Sequence, residues 1–409
     1  MGTKYFIDKI CDVSINNKQV IISNNMNGKW IKIPQECYLA IKYSTENSLS
    51  LNEVMSAFED INDRKYFEKV INKLEYIGLI SEKNIKDTTL RFVNKVSISM
   101  TNRCNLSCDY CCADSNPVNK DFLSTSDIKL SIDNIMKLNP YVLVFTGGEP
   151  LLRSDFFDIL EYTKMKFNGK IVLATNATLI KESQIDTLIN NIYSLEISLD
   201  GYDEESCTEV RGHGVFSRVI KVIELFKAKG FNNITLSMVV GKHNSNDIDK
   251  FYKLNEYLGT KPLIRNFMSI GRGKEVNKKY IDNNNAIEYE SEDLSEISAS
   301  QCTAGNTQIS INDKGDVFPC PILEYDEFKM FNILHIDDDI IEKIYTRKLK
   351  AFQNFDKLKP KNIESCGNCK INLFCTTCPA KMYLLKQDQL KFDYNCTNTK
   401  KHYENKIWK

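Results

Sequence analysis

Cysteines are the residues of this sequence whose number and spacing most clearly indicate chemistry. Fourteen occur among 409 residues, and Cys104, Cys108 and Cys111 have the spacing C-x3-C-x2-C. Three thiolates from one loop can hold three irons of a [4Fe–4S] cube and leave the fourth iron open for a small molecule. A zinc ion would need a fourth protein ligand, which the adjacent Cys112 is poorly placed to supply; we expect Cys112 to be a packed thiol. The spacing therefore favours a cluster with one open iron.

A second group of cysteines lies later in the sequence. It contains two C-x2-C pairs, which on their own would indicate structural zinc ions. The region has few long amphipathic segments, so we expect bound metal to hold it together. Ile309–Ile311 and Val317–Phe318 flank a Gly-containing turn and predict a hairpin. The group consists of Cys302, Cys320, Cys366, Cys369, Cys375, Cys378 and Cys396. The isolated Cys11, Cys37 and Cys207 are interpreted as small buried hydrophobes.

Alternating strands and helices between Val96 and Met268 must position the first cysteine loop. Apolar strands that alternate with amphipathic helices predict a parallel sheet curved into a full or partial barrel. Chemistry in such folds lies beyond the C-terminal ends of the strands, and the cysteine loop follows the first strand directly. The predicted strands are Val96–Met100, Tyr141–Thr146, Lys170–Thr175, Ser194–Leu199, Ile234–Val240 and Pro262–Met268.

The sequence before the barrel reads as a small separate unit. Val20–Ser23 and Trp30–Ile33 flank Asn27-Gly28, a hairpin signal. Three helical segments follow, the second opened by a capping box at Ser50 and the third capped by Asp63. A hairpin followed by three helices predicts a winged-helix unit.

Composition limits the class of protein. Lys+Arg and Asp+Glu number 54 each, so the formal charge is zero, which argues against a nucleic-acid-binding surface along the chain. No apolar run approaches the roughly 20 residues that span a membrane, and the start lacks a signal-peptide apolar region. We expect a cytoplasmic, soluble α/β protein without nucleic-acid or membrane partners. Its predicted domains are a winged-helix unit at 1–88, a partial (β/α)6 TIM-like barrel at 89–296 and an iron–sulfur domain at 297–409, the region 271–300 being a polar linker or loop.

Further motifs follow the predicted strands in order. Gly147-Gly148-Glu149-Pro150 follows the second strand and Thr175-Asn176 ends the third. Together with the cysteine loop, these motifs resemble the radical SAM superfamily. The resemblance implies that Cys104, Cys108 and Cys111 carry the catalytic cluster and that the glycine-rich turn binds the SAM amino group. The SAM site implied by the resemblance contains Tyr110, Gly147, Gly148, Glu149, Pro150, Thr175, Asn176, Ser198 (ribose), Asp200, Arg211 (carboxylate) and Val239 (adenine).

The later cysteine group resembles the SPASM domain of radical SAM peptide maturases. The resemblance implies two auxiliary [4Fe–4S] clusters, the first held by Cys302, Cys320 and Cys378 and the second by Cys366, Cys369, Cys375 and Cys396. The pair Cys375 and Cys378 is one residue closer than in many relatives, and Gln308 stands where some members have another cysteine. The first auxiliary set therefore has three thiolates. Either its open iron binds a substrate thiolate, or Cys112, Cys207 or water completes it.

The N-terminal unit resembles the PqqD-like RiPP recognition element, which captures leader peptides. The resemblance implies that a leader adds a strand to the edge of the hairpin and packs against the third helix. The candidate leader contacts are Trp30, Ile31, Phe67, Val70 and Leu74.

Taken together, these resemblances imply a peptide maturase of the sactipeptide or ranthipeptide thioether synthase type. A 5′-deoxyadenosyl radical formed from SAM would take a hydrogen atom from a ribosomally made precursor peptide, and a peptide cysteine would close a thioether onto that carbon. The auxiliary clusters would accept the surplus electron, and an external flavodoxin or ferredoxin would supply the first one. The alternatives are carbon–carbon cross-linking and, in another class, a non-catalytic metal-stabilised peptide-binding protein. Sulfatase maturation is disfavoured because Pro321 stands where that relative has an aspartate.

Overall fold

The computed structural model describes residues 3–84, 93–281, 297–299, 302–376 and 378–408. Residues 3–84 form a small N-terminal unit. Its elements are β1 (Tyr5–Phe6), β2 (Cys11–Asn16), β3 (Gln19–Asn24), β4 (Trp30–Pro34), α1 (Gln35–Glu46), α2 (Leu51–Ser56), α3 (Ile61–Tyr76) and β5 (Ile80–Ser81). The strands β2, β3 and β4 form an antiparallel sheet in that order, and β1 pairs with β5. The three helices cover one face of the sheet, and their apolar side chains form a separate core.

Local signals predicted most of this unit. The hairpin of β3 and β4 is confirmed, with Gly28 in the left-handed region at a φ of 73°. The capping box at Ser50 is also confirmed, since Ser50 and Glu53 each bond to the other's backbone N–H. The N-cap of α3 was predicted at Asp63 and is Asp60, whose carboxylate accepts two backbone N–H bonds. Strand β2 was not predicted, although apolar and polar residues alternate along its whole length. The winged-helix assignment stays a prediction.

All six predicted barrel strands are confirmed. They are β6 (Lys95–Ser99), β7 (Val142–Thr146), β8 (Lys170–Thr175), β9 (Ser194–Ser198), β10 (Ile234–Val240) and β11 (Lys261–Asn266). They run parallel, each beside the next along the chain. Side chains such as Ile98, Phe145 and Leu173 are fully buried against the helices, and each contributes about 1.5–3 kcal/mol. The opposite face of the strands is more polar, with Ser97 and Ser237 among its residues.

Helices join these strands and carry the outer layer of the barrel. Three of them, α6, α7 and α10, were not predicted. The helices are α4 (Thr125–Met136), α5 (Phe156–Lys166), α6 (Ile185–Asn191), α7 (Glu204–Arg211), α8 (Val215–Ala228), α9 (Ile248–Leu258) and α10 (Asn277–Tyr280). Part of the region predicted as a linker is therefore ordered, since 271–281 contains a 3-10 turn and α10. Of the remainder of that linker, residues 282–296 and 300 lie outside the described residues.

The later part of the chain extends the barrel sheet. Its elements are β12 (Gln308–Ile311), β13 (Asp316–Phe318), β14 (Phe331–Asn332), α11 (Asp338–Tyr345), α12 (Lys350–Asp356), α13 (Pro379–Leu385) and α14 (Gln389–Trp408). The predicted hairpin of β12 and β13 is confirmed, and β12 pairs parallel with β6. The sheet therefore has nine strands in the order β11-β10-β9-β8-β7-β6-β12-β13-β14, and it continues past the predicted domain boundary at 296. The 20-residue α14 was not predicted.

The N-terminal unit packs against the later part of the chain through its sheet. The Trp30 indole lies edge-on to Phe374, with ring centroids 5.0 Å apart, and its Nε1–H donates to the Ile297 carbonyl at 2.7 Å. The predicted leader contacts are therefore corrected. Trp30 is occupied by this interface, whereas Ile31, Phe67, Val70 and Leu74 are at most 9% exposed because they form the core of the unit. In the described part of the chain, every helix is too short or too polar to cross a membrane.

Candidate active site

The glycine-rich turn after β7 packs directly against the chain that leads into the first cysteine loop. Gly148 N donates to Thr101 O at 2.8 Å, and Glu149 N donates to Arg103 O at 2.8 Å. A Cβ on Gly147 would collide with Thr101 O, and one on Gly148 would collide with Arg103 O. Gly147 also has a φ of 140°, which L side chains rarely adopt. In this structure, the two glycines let the backbone of the turn approach the backbone that leads into the cysteine loop.

Glu149 ties the ends of two neighbouring strands together. Its buried carboxylate accepts hydrogen bonds from Asn176 N at 2.8 Å, from the Thr175 hydroxyl at 2.7 and 2.9 Å and from Leu151 N at 3.1 Å. Burial raises the pKa of Glu149 and these donors oppose the rise. The expected contact with a SAM ammonium would have to share an oxygen that the protein already uses. Pro150 begins the 3-10 turn that follows.

Asn176 extends this network to the cysteine loop. Its Nδ2 donates to the Asn105 side chain at 3.0 Å and lies 3.9 Å from the Cys104 Sγ. Its Oδ1 accepts from Thr178 N at 2.9 Å. The polar ends of β7 and β8 and the first cysteine of the loop are thus connected by short-range contacts at the C-terminal edge of the sheet.

Asp200 and Arg211 form a buried ion pair on the other side of the loop. The Arg211 Nε donates to the Asp200 Oδ2 at 2.5 Å, and Nη2 donates to the Tyr110 hydroxyl at 3.0 Å. The Tyr110 hydroxyl also donates to Asp200, whose other oxygen accepts from Val239 N at 2.5 Å. Asp200 adopts a left-handed φ of 62°. Ser198, at the end of β9, is half-buried beside this group.

The same arginine reaches the cysteine loop, since its Nη1 lies 3.7 Å from the Cys108 Sγ. Burial lowers the pKa of Arg211, but the neighbouring Asp200, Tyr110 and Cys108 together raise it by more, so the net pKa lies well above the usual value. The guanidinium therefore stays charged. It was predicted to hold a SAM carboxylate, and in this structure it already joins Asp200, Tyr110 and Cys108.

The thiols of the first loop fit a cluster site. Burial raises the pKa of Cys104 to about 11, and the nearby Cys108 and Cys111 add to the rise. Burial also raises the pKa of Cys108, which Arg211 opposes. Thiols close enough to influence each other, with a fixed cation beside them, are suited to bind iron as thiolates. The residues present at this edge of the barrel thus suit an iron–sulfur cluster.

The later cysteines form two groups in space. Burial raises the pKa of Cys320 to about 12, with Cys302 and Cys378 adding to the rise. These three are the predicted first auxiliary set. A separate space of about 300 Å³, part of it open to solvent, is lined by all four predicted members of the second set, Cys366, Cys369, Cys375 and Cys396. Both groups have the sulfur donors that an iron–sulfur cluster requires.

The two cysteines predicted as possible extra ligands for the first auxiliary set differ in their surroundings. The buried Cys207 donates its S–H to Leu199 O at 3.1 Å. Cys112 is exposed, so its interpretation as a packed thiol is wrong. The surrounding protein still raises the pKa of Cys112 to about 11, and its charged neighbours are Glu324 and Arg265. Cys11 and Cys37 are half-buried rather than buried.

Sequence reasoning missed the segment that closes over the cysteine loop. Residues 267–281, here called the strap, follow β11 and include α10. Arg272 of the strap donates from Nε to Cys108 O at 3.1 Å and from Nη1 to Asp114 at 2.8 Å. Tyr280 donates to Asp109 at 2.6 Å. A polar sequence without periodicity gave no sign that it would fold back on this loop.

Family models match the chain in these two regions. Residues 98–254 match the Radical SAM superfamily, and residues 302–370 match SPASM, described as an iron–sulfur cluster-binding domain. The chain therefore contains a radical SAM domain followed by a SPASM domain. Its cofactors are accordingly SAM and multiple [4Fe–4S] clusters.

Individual proteins resemble the chain over most of its length. The mycofactocin maturase MftC of Mycolicibacterium smegmatis is 27% identical over 298 residues, which cover 66% of this chain and 74% of that protein. The subtilosin biosynthesis protein AlbA of Bacillus subtilis is 27% identical over 306 residues, covering 70% and 67%. The Streptococcus suis protein SuiB, solved bound to its precursor peptide SuiA, shares the fold with a TM-score of 0.56 at 17% identity, covering 92% of this chain and 97% of that one.

Proposed function

We propose that this chain is an enzyme that installs thioether cross-links in a ribosomally made precursor peptide. The observation that carries the proposal is the grouping of three thiols, Cys302, Cys320 and Cys378, at one buried apolar cluster, while Cys207 bonds to a backbone carbonyl and Cys112 lies exposed on the first cysteine loop. A cluster held by three thiolates keeps an iron for an outside ligand, and a peptide thiolate is a suitable one. Relatives named as maturases of ribosomal peptides support peptide modification in general.

The chain's own residues would prepare both partners of the reaction. When bound, SAM and the clusters supply hydrogen-atom abstraction and single-electron transfer. Glu149, through Asn176, fixes the turn against Cys104, while Arg211 and Asp200 fix the opposite side of the loop. The barrel walls exclude water from the space between them. A flavodoxin or ferredoxin would deliver the initiating electron.

The N-terminal unit would capture the leader part of the peptide. In the described residues, strand β4 lies at one edge of the three-stranded sheet and contacts α3. An extended peptide can therefore add beside it as a further strand. Tyr66 on α3 is 45% exposed and is available to such a peptide. We propose this surface for leader binding in place of the five side chains predicted from the sequence, which are buried or already in contact with other parts of the chain.

The test is an anaerobic reaction of the reconstituted full chain with SAM, dithionite and a cysteine-containing precursor peptide. We expect 5′-deoxyadenosine and a peptide lighter by two hydrogen atoms, about 2 Da, for each bond, with one thiol fewer open to alkylation. A lighter peptide with every thiol still alkylated would show a carbon–carbon link instead. SAM cleavage without any change in peptide mass would contradict the proposal, and the Cys104→Ala variant serves as the control.

A further inference from the structure

The strap makes an unusually dense set of contacts with the backbone of the first cysteine loop. Besides its bonds to Cys108 O and Asp114, the Arg272 Nη1 donates to Ser115 O at 2.8 Å. The Arg272 backbone N–H donates to Cys111 O at 3.1 Å. The backbone carbonyls of two predicted iron ligands, Cys108 and Cys111, are therefore both bound by this one residue.

The backbone of the strap is shaped for this approach. Gly271 adopts a left-handed φ of 57°, and a Cβ there would collide with the carbonyls of Cys111 and Cys112. Only glycine tolerates both conditions. The side chain of Arg272 is 20% exposed, so its charge is largely shielded from solvent and its bonds are not those of a freely moving surface arginine.

A second anchor holds the strap eight residues further along the chain. Asp109, next to Cys108, accepts from the Tyr280 hydroxyl at 2.6 Å and from the Lys279 Nζ at 3.1 Å. The Tyr280 ring is 2% exposed and stacks on Phe267 with centroids 4.4 Å apart. Because this anchor is buried, the strap is fixed at Tyr280 as well as at its start after β11. Arg272 is held in place between these two points.

We propose that Arg272 is a positioning residue that fixes the segment 108–115 in the shape that the cluster and SAM require. A planar guanidinium can serve three acceptors at once, which a lysine ammonium on a flexible chain does less well. The charged guanidinium of Arg272 is hydrogen-bonded to the backbone carbonyl of Cys108, a predicted iron ligand, and a positive charge at this position would favour the reduced form of the cluster. The proposal concerns the SAM cluster alone and does not depend on the peptide product.

The experiment compares Arg272→Gln, which loses the positive charge and the planar guanidinium, with Arg272→Lys, which keeps the charge but not the guanidinium. Arg64→Gln is the matched control, because Arg64 also donates to a backbone carbonyl, Phe58 O, but lies in the N-terminal unit. The first measurement is amide hydrogen exchange of residues 104–115 in the full chain without iron. The reduction potential, the EPR spectrum and the SAM affinity are then measured on the reconstituted protein.

We expect faster exchange at 108–115 in both Arg272 variants. Arg272→Gln should also show a more negative potential of the SAM cluster, an altered EPR spectrum and a dissociation constant for SAM raised about tenfold. Arg272→Lys should retain a potential near that of the wild type, and Arg64→Gln should match the wild type in every measurement. Wild-type exchange, potential and SAM affinity in Arg272→Gln would overturn the proposal.

Asp114→Asn provides the test if Arg272→Gln does not accumulate. It removes only the ion pair and leaves the three bonds to backbone carbonyls in place. Exchange at 108–115 should then rise about threefold, less than in Arg272→Lys. Unchanged exchange in both Asp114→Asn and Arg272→Lys would likewise overturn the proposal.

Discussion

The two cysteine regions of this protein are positioned by different means. The first loop is held by residues at the ends of the barrel strands and by the strap, through hydrogen bonds to its backbone and thiols. The second set is held from outside, by the N-terminal unit and by α14. Ser14 donates to Lys370 O at 3.2 Å, the Trp408 indole donates to the same carbonyl at 2.9 Å, and Trp30 packs on Phe374.

This difference predicts that the two cysteine regions depend on different parts of the fold. The SAM site should form wherever the barrel folds, because its contacts come from the barrel and its strap. The loop between Cys369 and Cys375 should depend on docking of the N-terminal unit, since that unit covers the residues between the two cysteines. Damage in one region should therefore leave the other largely unaffected, and the variants below test this separation.

The largest expected effect is the loss of SAM cleavage in Cys104→Ala. Without this thiolate the loop cannot hold three irons. Formation of 5′-deoxyadenosine in the absence of peptide should fall to background. Cys369→Ala should lower the iron content by about four per chain and leave this uncoupled cleavage within about tenfold of the wild type. Equal losses in both variants would show that the two regions are not separate.

Glycine substitutions should also distinguish the two regions. In Gly148→Ala the new methyl group would meet Arg103 O, whereas in Gly367→Ala, beside Cys366, the nearest atom is 3.7 Å from the new Cβ. Overpacking of this kind costs about 3 kcal/mol, so Gly148→Ala should reduce SAM cleavage by about 100-fold. Gly367→Ala should be close to wild type. A fully active Gly148→Ala protein would mean that the turn does not need this close approach.

Trp30→Ala should loosen the second region specifically. Loss of the indole removes its contact with Phe374 and its bond to Ile297 O, and we expect a destabilisation of about 2 kcal/mol for this half-buried ring. Hydrogen exchange at 369–375 should accelerate while that at 104–115 does not change. Leu39→Ala, at a side chain 53% exposed on α1, is the control. Acceleration in both segments would argue against separate anchoring.

The smallest predicted effect concerns Glu324, which follows Cys320 and influences Cys112 in the first region. Burial raises the pKa of Glu324 to about 7 from 4.5, so above pH 7 the folded state carries an ionised group that its surroundings disfavour. Glu324→Gln removes this cost and should raise the melting temperature at pH 8. The gain in stability should be less than about 1 kcal/mol, because the side chain is only partly shielded from solvent. The difference should shrink toward pH 5. A constant difference at both pH values would assign the effect to another cause.

The sequence predicted what depends on local patterns. The six barrel strands are short segments with apolar residues at their centres, and the capping box at Ser50 is a four-residue signal, so both were found. The assignment of the cysteines to two auxiliary clusters came from resemblance and stays a prediction. Long-range contacts were not predictable in this way: nothing near Arg272 indicates that it reaches Cys108, and the polar strap resembled a linker.

Errors arose where one pattern fits two environments. Apolar residues of a hairpin and a helix can line a groove or fill a core, and Phe67 and Leu74 fill the core. The N-cap of α3 is Asp60, and Asp63 lies within the first turn of the helix, because the helix begins earlier than its apolar pattern indicated. Helix α14 was missed because polar residues surround it on most sides, and its contacts with the N-terminal unit become visible only in three dimensions.

The account depends most on the claim that the loop of Cys104, Cys108 and Cys111 holds the cluster to which SAM binds. The direct measurement is EPR of the dithionite-reduced protein with and without SAM, in the wild type, in a Cys104→Ala/Cys108→Ala variant and in a Cys366→Ala/Cys369→Ala variant. A signal that changes on addition of SAM should appear in the wild type and the second variant and be absent from the first. A SAM-dependent change that survives in Cys104→Ala/Cys108→Ala would contradict the claim.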